Sequence, residues 1–131
     1  MGSFSNYWET KILDHLFGKG VYTPPTIYVA LSTADPGESG SGLDEPEGGG
    51  YARAATQASD WNSAAGGLID NAAAIEFDAA AGDWGTVTHF ALFDAATGGN
   101  LLAHGSLAQP KTVNAADRAQ FPPGDLEVTL D

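Results

Sequence analysis

The chain has 131 residues, of which 17 are acidic and five are basic, so its formal net charge is -12. That length suits one domain with its own apolar core, and the charge argues against DNA or RNA as a partner because like charges repel. It contains no cysteine, no signal-peptide pattern and no apolar run of the roughly 20 residues that a membrane span needs, so we expect a soluble, unsecreted chain without disulfides, thiolate metal sites or a membrane partner.

The N-terminal segment predicts a short amphipathic helix over residues 6–17. Asn6 followed by Glu9 is typical of a capping box, with Asn6 as the N-cap. Apolar residues recur at every fourth position and therefore share one stripe: Trp8, Ile12 and Leu16. A helix of about three turns is marginal on its own, so we expect this stripe to dock on the rest of the domain or on a neighbouring subunit.

The pattern changes at Pro24 and Pro25, because paired prolines forbid helix continuation and favour an extended chain. The stretch 27–33 then alternates like a strand, and we expect a central strand. Residues 35–50 form a long acidic, glycine-rich loop without periodicity, longer than the roughly 12 to 15 residues usual for a loop without structure. We expect this loop to be mobile or to contact a partner or an ion.

The remaining strands are predicted by short apolar stretches between turn residues: 51–58, 68–80 and 125–131. The clearest signal is a central hairpin at 84–108, whose two strands face each other across "AATGGN". Together these elements predict a mainly β fold, a single antiparallel β-sandwich-like domain over 1–131 with a short N-terminal α-helix.

Two histidines lie on the predicted hairpin strands, His89 and His104. If the turn is centred in "AATGGN", His89 lies opposite Ser106 and His104 opposite Ala91, so the imidazoles are diagonal neighbours on one face and within reach of a shared ion. A third ligand is not evident. Packed, hydrogen-bonded histidines are therefore favoured over a metal site, and we predict neither a metal nor another cofactor.

Catalysis finds little support in the sequence, and we predict that the chain is not an enzyme. No Gly-x-Ser-x-Gly elbow occurs, and the paired carboxylates Asp44 and Glu45 lie in the long loop, where nothing is expected to desolvate them. Three aromatic residues at strand ends are candidates for a platform that stacks on sugars: Tyr51, Trp61 and Trp84. Core or subunit contact is the favoured interpretation of the same three residues.

A family resemblance is carried by five segments: "LDHLFG", "YVALSTADP", "GGGYAR", "WGTVTHFALFDAATGGNLLAHGSL" and "DLEVTLD". With these, the chain resembles a family of small tailed-bacteriophage virion structural proteins that are usually labelled phage tail fibre proteins. The resemblance spans nearly the whole chain. It implies a non-enzymatic subunit present in many copies, on the tail or baseplate or on the capsid exterior as a decorating cement, and it supplies no catalytic residues.

The leading hypothesis is therefore a multicopy subunit of the virion exterior that is assembled in the host cytoplasm. It would form a homo-oligomer, bind major capsid or tail proteins, and use the apolar stripe of the helix as its subunit contact. The alternative is a carbohydrate-binding adhesion module of the particle that uses the three strand-end aromatics.

Overall fold

The secondary structure is short and mostly extended, as the many glycines and prolines predict. The computed structural model describes residues 2–130. Within that range the elements in chain order are β1 (Gly2–Phe4), α1 (Asn6–Leu16), β2 (Tyr28–Ser32), β3 (Ala54–Ala55), β4 (Leu68–Asp70), β5 (Ile75–Glu76), β6 (Gly85–Phe93), β7 (Leu101–Val113), β8 (Gln120–Phe121) and β9 (Glu127–Thr129). A 3₁₀ turn at Ala58–Asp60 lies between β3 and β4. No helix among the described residues is long and apolar enough to cross a membrane.

Seven strands form one curled sheet in the order β3-β2-β6-β7-β1-β9-β4, and β5 pairs with β8 in a separate ribbon. This confirms a mainly β fold with a short N-terminal helix. The pairs are antiparallel except that β1 runs parallel to β9, because the N-terminal strand inserts between the hairpin and the C-terminal strand. Strand β2 is not central as predicted: it lies second from the edge, next to the two-residue β3.

The central hairpin has the register that the sequence predicts. His89 lies opposite Ser106, and Ala91 lies opposite His104. The inner sheet face carries the main core, which includes Phe90, and the β5–β8 ribbon packs across it with the Phe121 ring 6.2 Å from the Phe90 ring. The outer face carries a smaller buried cluster: Ala30, Ala91, Phe93 and Leu101. Apolar residues on both faces of the hairpin are thus explained by cover on both sides.

Two predicted strands are wrong in extent. The stretch 51–58 pairs only at Ala54–Ala55, and the stretch 68–80 breaks at Asn71 into β4 and β5. The fully buried Asn71 amide causes the break, because it hydrogen-bonds backbone groups on both sides of the chain reversal. Its side chain donates to Ala73 O, Phe121 O and Pro122 O and accepts from Leu126 N.

Helix α1 begins at Asn6 as predicted, but its N-cap is Ser5, so the predicted cap is wrong by one residue. The Ser5 hydroxyl accepts a hydrogen bond from the Trp8 amide at 3.2 Å and donates one to the carbonyl of Leu101 on β7. This second bond decides the cap, because a hydroxyl that is buried against β7 must find a partner there. No residue of α1 is fully buried, so the helix is only lightly packed on the sheet.

The segment 35–50 is not a loop without structure. It folds through successive turns over the outer sheet face, where the Asp44 amide donates to the Ser32 hydroxyl at 3.0 Å and Asp44 O accepts from the Thr33 amide at 2.9 Å. The turns need close backbone approach: a Cβ at Gly42 would lie 2.2 Å from Asp35 O. The segment therefore serves as the cover of the outer cluster.

Candidate functional site

A groove of about 830 Å³ lies between α1, the extended chain that follows it, and the inner sheet face. We call it the helix groove. Its floor is aliphatic and includes Leu92, Leu102 and Val128, while Trp8 and Trp61 stand on its walls. The fold makes this groove because α1 rests on the sheet without burying any residue completely. Its volume and apolar lining fall within the range usual for ligand pockets.

The groove walls are built from aromatic residues that pack edge to face. The ring of Trp8 lies 4.4 Å from that of Tyr22 and 6.4 Å from that of Phe4. Burial, followed by the effect of the neighbouring Tyr7 side chain, raises the pKa of Tyr22 to about 12. The phenol is therefore neutral at physiological pH. The indole of Trp61 is held by a hydrogen bond of 3.0 Å to the Thr56 hydroxyl.

The charge of the groove differs from that of the chain. The chain carries 17 acidic residues, yet among the described residues that line the groove there is no aspartate or glutamate, and the basic side chains are Lys11 and His15. Both belong to the groove-facing side of α1. A groove of this kind favours an occupant that is apolar and carries a carboxylate.

Beside the groove, large apolar side chains are exposed at and just beyond the C-terminal end of α1. They are 57 to 94% exposed, and we call them the apolar helix end: Leu13, Leu16, Phe17 and Val21. Leu13, Leu16 and Phe17 have the three- and four-residue spacing of one helix side, and grouped exposure of this kind marks a contact surface more often than scattered exposure does.

The predicted helix stripe is divided between these two surfaces. Trp8 and Ile12 line the helix groove, whereas Leu16 belongs to the exposed helix end. The sequence pattern missed Val21 because it follows the glycines that end the helix. In the sequence, the only indication of this surface residue was a single valine after Gly20.

The structure does not bring the three candidate platform aromatics together. Trp84 is 4% exposed and donates its indole hydrogen to Gly49 O at 2.8 Å, so it offers no free ring face to a ligand. Tyr51 packs edge to face on it with ring centroids 5.3 Å apart, and burial raises the pKa of the Tyr51 hydroxyl. Trp61 alone borders the helix groove.

An arginine ties the segment 35–50 to the tip of the hairpin. The side chain of Arg53 is 4% exposed and makes a bidentate pair with Glu45, at 2.9 and 3.0 Å. Its remaining nitrogen donates to Ala95 O and Gly98 O, and the guanidinium lies 3.8 Å from the centre of the Phe93 ring. The two paired carboxylates thus differ in position: Glu45 is 23% exposed and lies against Arg53, whereas Asp44 is exposed.

The two hairpin histidines have separate partners. The Nδ1 of His89 lies 2.8 Å from the Thr88 hydroxyl, while Nε2 of His104 lies 3.3 Å from a carboxylate oxygen of Glu38 and Nδ1 lies 3.8 Å from one of Asp35. Within residues 2–130 no group of three or more histidine or acidic side chains is placed to hold a metal ion. His104 thus links β7 to the segment 35–50 through Glu38 and Asp35.

The described residues thus form a small, mainly β protein with a lightly packed helix, an apolar groove and an exposed apolar helix end. The chain belongs to the family described as podophage GP4 fiber I protein gp80, whose family model matches residues 3–129. No curated protein matches the chain. The family match confirms the resemblance seen in the sequence: the chain is a phage tail fibre-type protein, a structural component that associates with other parts of the virion.

Proposed function

We propose that the chain is a non-enzymatic subunit of the phage exterior, present in many copies, that uses helix α1 as its subunit contact. The observation that carries this proposal is the apolar helix end. Its side chains are 57 to 94% exposed, at and just beyond the end of a helix without a fully buried residue. Covering them with a neighbour removes apolar surface from water and also stabilises a short helix.

The proposed location is the tail, because the family is described as a fibre protein. Decoration of the capsid exterior as a cement is the alternative location, since both sites suit a small β-rich subunit. A non-enzymatic role is supported by the polar groups that the fold brings together. Arg53 with Glu45 and His104 with Glu38 hold the loop over the sheet rather than facing a cavity.

The test of location is immunogold labelling of intact particles with an antibody to the purified chain. Gold on the tail is expected. Gold on the capsid would support the cement location instead, and particles without label, from a lysate that contains the free chain, would contradict a virion role.

The contact surface is tested in phage that carry Leu16→Ser with Phe17→Ser. We expect at least tenfold less of this variant in purified particles than of the wild type, because two large apolar contacts are lost. The matched control is Leu130→Ser, which changes an exposed leucine outside the helix and should leave incorporation unchanged. Equal incorporation of all three would remove the role of the apolar helix end.

The carbohydrate-binding alternative has less support from the geometry. The rings of Tyr51 and Trp84 pack on each other in the core, and the floor of the groove beside Trp61 is aliphatic rather than polar. Sugar sites combine aromatic faces with several hydrogen-bonding groups. A glycan array in which the wild type binds and Trp61→Ala does not would reverse this preference.

A further inference from the structure

We propose that the helix groove of one copy is the docking site for the apolar helix end of a second copy of this chain. The inference rests on the proposed function, and it names the partner that α1 contacts. Both halves of such a contact are present in every copy: a groove of about 830 Å³ with an aliphatic floor, and a cluster of exposed apolar side chains.

A copy cannot fill its own groove with its own helix end. The groove-lining residues of α1 are Trp8, Lys11, Ile12 and His15, whereas Leu13, Leu16 and Phe17 do not line the groove. As long as α1 stays helical, Leu16 and Phe17 lie beyond the groove and point into solvent, where they are 72% and 70% exposed. The two surfaces lie side by side on one helix. A helix end that enters the groove therefore has to come from a neighbouring copy.

Charge favours the same partner. Two chains of net charge -12 repel each other, so contact is most favourable where a surface has no carboxylates. The helix groove is such a surface, with Lys11 and His15 as its basic side chains. The helix end carries one carboxylate, on the exposed Asp14 between Leu13 and Leu16. In the proposed contact Asp14 of one copy faces Lys11 or His15 of the other, which fixes the orientation.

Other occupants fit less well. A sugar would find few hydrogen-bonding groups on a floor made of Leu92, Leu102 and Val128. An apolar segment of a different virion protein would need to present apolar side chains beside a carboxylate, which the helix end of this chain already does. Many copies on one particle also raise the local concentration of the helix end, which strengthens a weak contact between copies.

The test is sedimentation of the purified full chain over a wide range of concentration. The wild type is expected to self-associate. Leu16→Ser with Phe17→Ser removes the helix end, and Ala58→Phe fills the groove from an exposed position on its rim. Each variant should weaken self-association at least tenfold, whereas Leu130→Ser should not. If Ala58→Phe fails to fold, as judged by circular dichroism, Ser63→Phe replaces it, since Ser63 is also exposed and lines the groove.

Mixing the two variants separates this contact from any other. The helix-end variant keeps an intact groove and the groove variant keeps an intact helix end, so the mixture should form a heterodimer that neither variant forms alone. Trp8 and Trp61 line the groove and are retained in both, so their fluorescence should shift as the heterodimer forms. A mixture that stays monomeric would overturn the proposal.

The failure of this inference is distinguishable from failure of the proposed function. A wild type that is monomeric at every concentration, together with gold label on the virion, would overturn the groove contact and leave the structural role in place. If Ala58→Phe is in addition lost from the particles, the occupant is an apolar segment of another virion protein. Self-association of a chain that never labels the virion would overturn the structural role alone.

Discussion

Removing the guanidinium of Arg53 is expected to loosen the outer face of the sheet, because this one side chain joins three parts of the fold. It pairs with Glu45 through two hydrogen bonds, donates to Ala95 O and Gly98 O, and lies over the ring of Phe93. Arg53→Met is the sharpest perturbation, since methionine keeps an unbranched apolar stem against the ring and loses the cation and every donor.

The magnitude follows from burial. Breaking a buried ion pair by removing one partner typically costs about 3 to 5 kcal/mol, because the other charge is left without compensation. Arg53 is 4% exposed and Glu45 is 23% exposed, so water partly screens the remaining carboxylate and the lower end applies, about 3 kcal/mol. With an m-value of about 2 kcal/mol per molar urea, the unfolding midpoint should fall by about 1.5 M.

The assay is urea denaturation followed by circular dichroism, with Lys111→Met as the matched control. This control removes the same charge from an exposed position on β7 and should change stability by less than about 0.5 kcal/mol. In a double-mutant cycle with Glu45→Gln, the combined loss should be smaller than the two single losses together, because each breaks the same pair. A midpoint for Arg53→Met equal to that of Lys111→Met, or strict additivity in the cycle, would refute the reasoning.

Three further predictions concern single side chains. Burial alone would raise the pKa of Asp94, but the hydrogen bonds from the Asn100 backbone and side chain and the charge of Arg53 outweigh it, so the pKa is lowered. The stability that Asp94 contributes is therefore present above its unfolded pKa of about 3.9 and is lost as pH falls through the lower folded pKa. When urea denaturation is compared between pH 5 and pH 3, the unfolding midpoint should fall less in Asp94→Asn than in the wild type. Asn71→Ala should cost about 3 kcal/mol or prevent folding, because it leaves several buried backbone groups unpaired; a loss below about 1 kcal/mol by denaturation would contradict this. Ser5→Ala should cost about 1 to 2 kcal/mol, because it removes the N-cap and a buried hydroxyl bond; Asn6→Ala is the control expected to be nearly neutral.

Local signals in the sequence were sufficient for α1 and for the central hairpin. The helix has four-residue spacing and polar residues at its start, and the hairpin has two apolar strands with a turn that fixes the register of His89 against Ser106. These patterns depend on residues that are close in the chain, so the elements that they predict do not depend on long-range contacts. The exact cap did not follow from them, because Ser5 is chosen by its contact with Leu101, far away in the chain.

The wrong strand lengths have a long-range cause. Residues 68–80 look continuous in the sequence, but Asn71 bonds to groups near residues 121 and 126, and those bonds turn the chain. In the same way, nothing near Arg53 in the sequence indicates that it will reach the hairpin tip at Ala95 and Gly98. Such partners are known only once the strands are paired.

The candidate site was predicted in part. The helix stripe included Trp8 and Ile12, and the strand-end aromatics included Trp61, all of which line the helix groove. Their meeting in one groove could not be predicted, because its lining residues extend from Phe4 to Val128 and follow no period. Trp84 lies under the loop because Gly49 approaches its indole closely, and its position at a strand end gave no sign of that contact.

The parallel pair of β1 with β9 also sets the order of events during synthesis. Gly2 lies beside Val128 in the finished sheet, so β1 gains both of its neighbours only after β9 has been synthesised. The groove is also completed only at that stage, because Phe4 lies in its wall and Val128 lies in its floor. A chain that has not been synthesised as far as Val128 therefore has no complete groove, and the proposed contact between copies requires that each sheet has closed first.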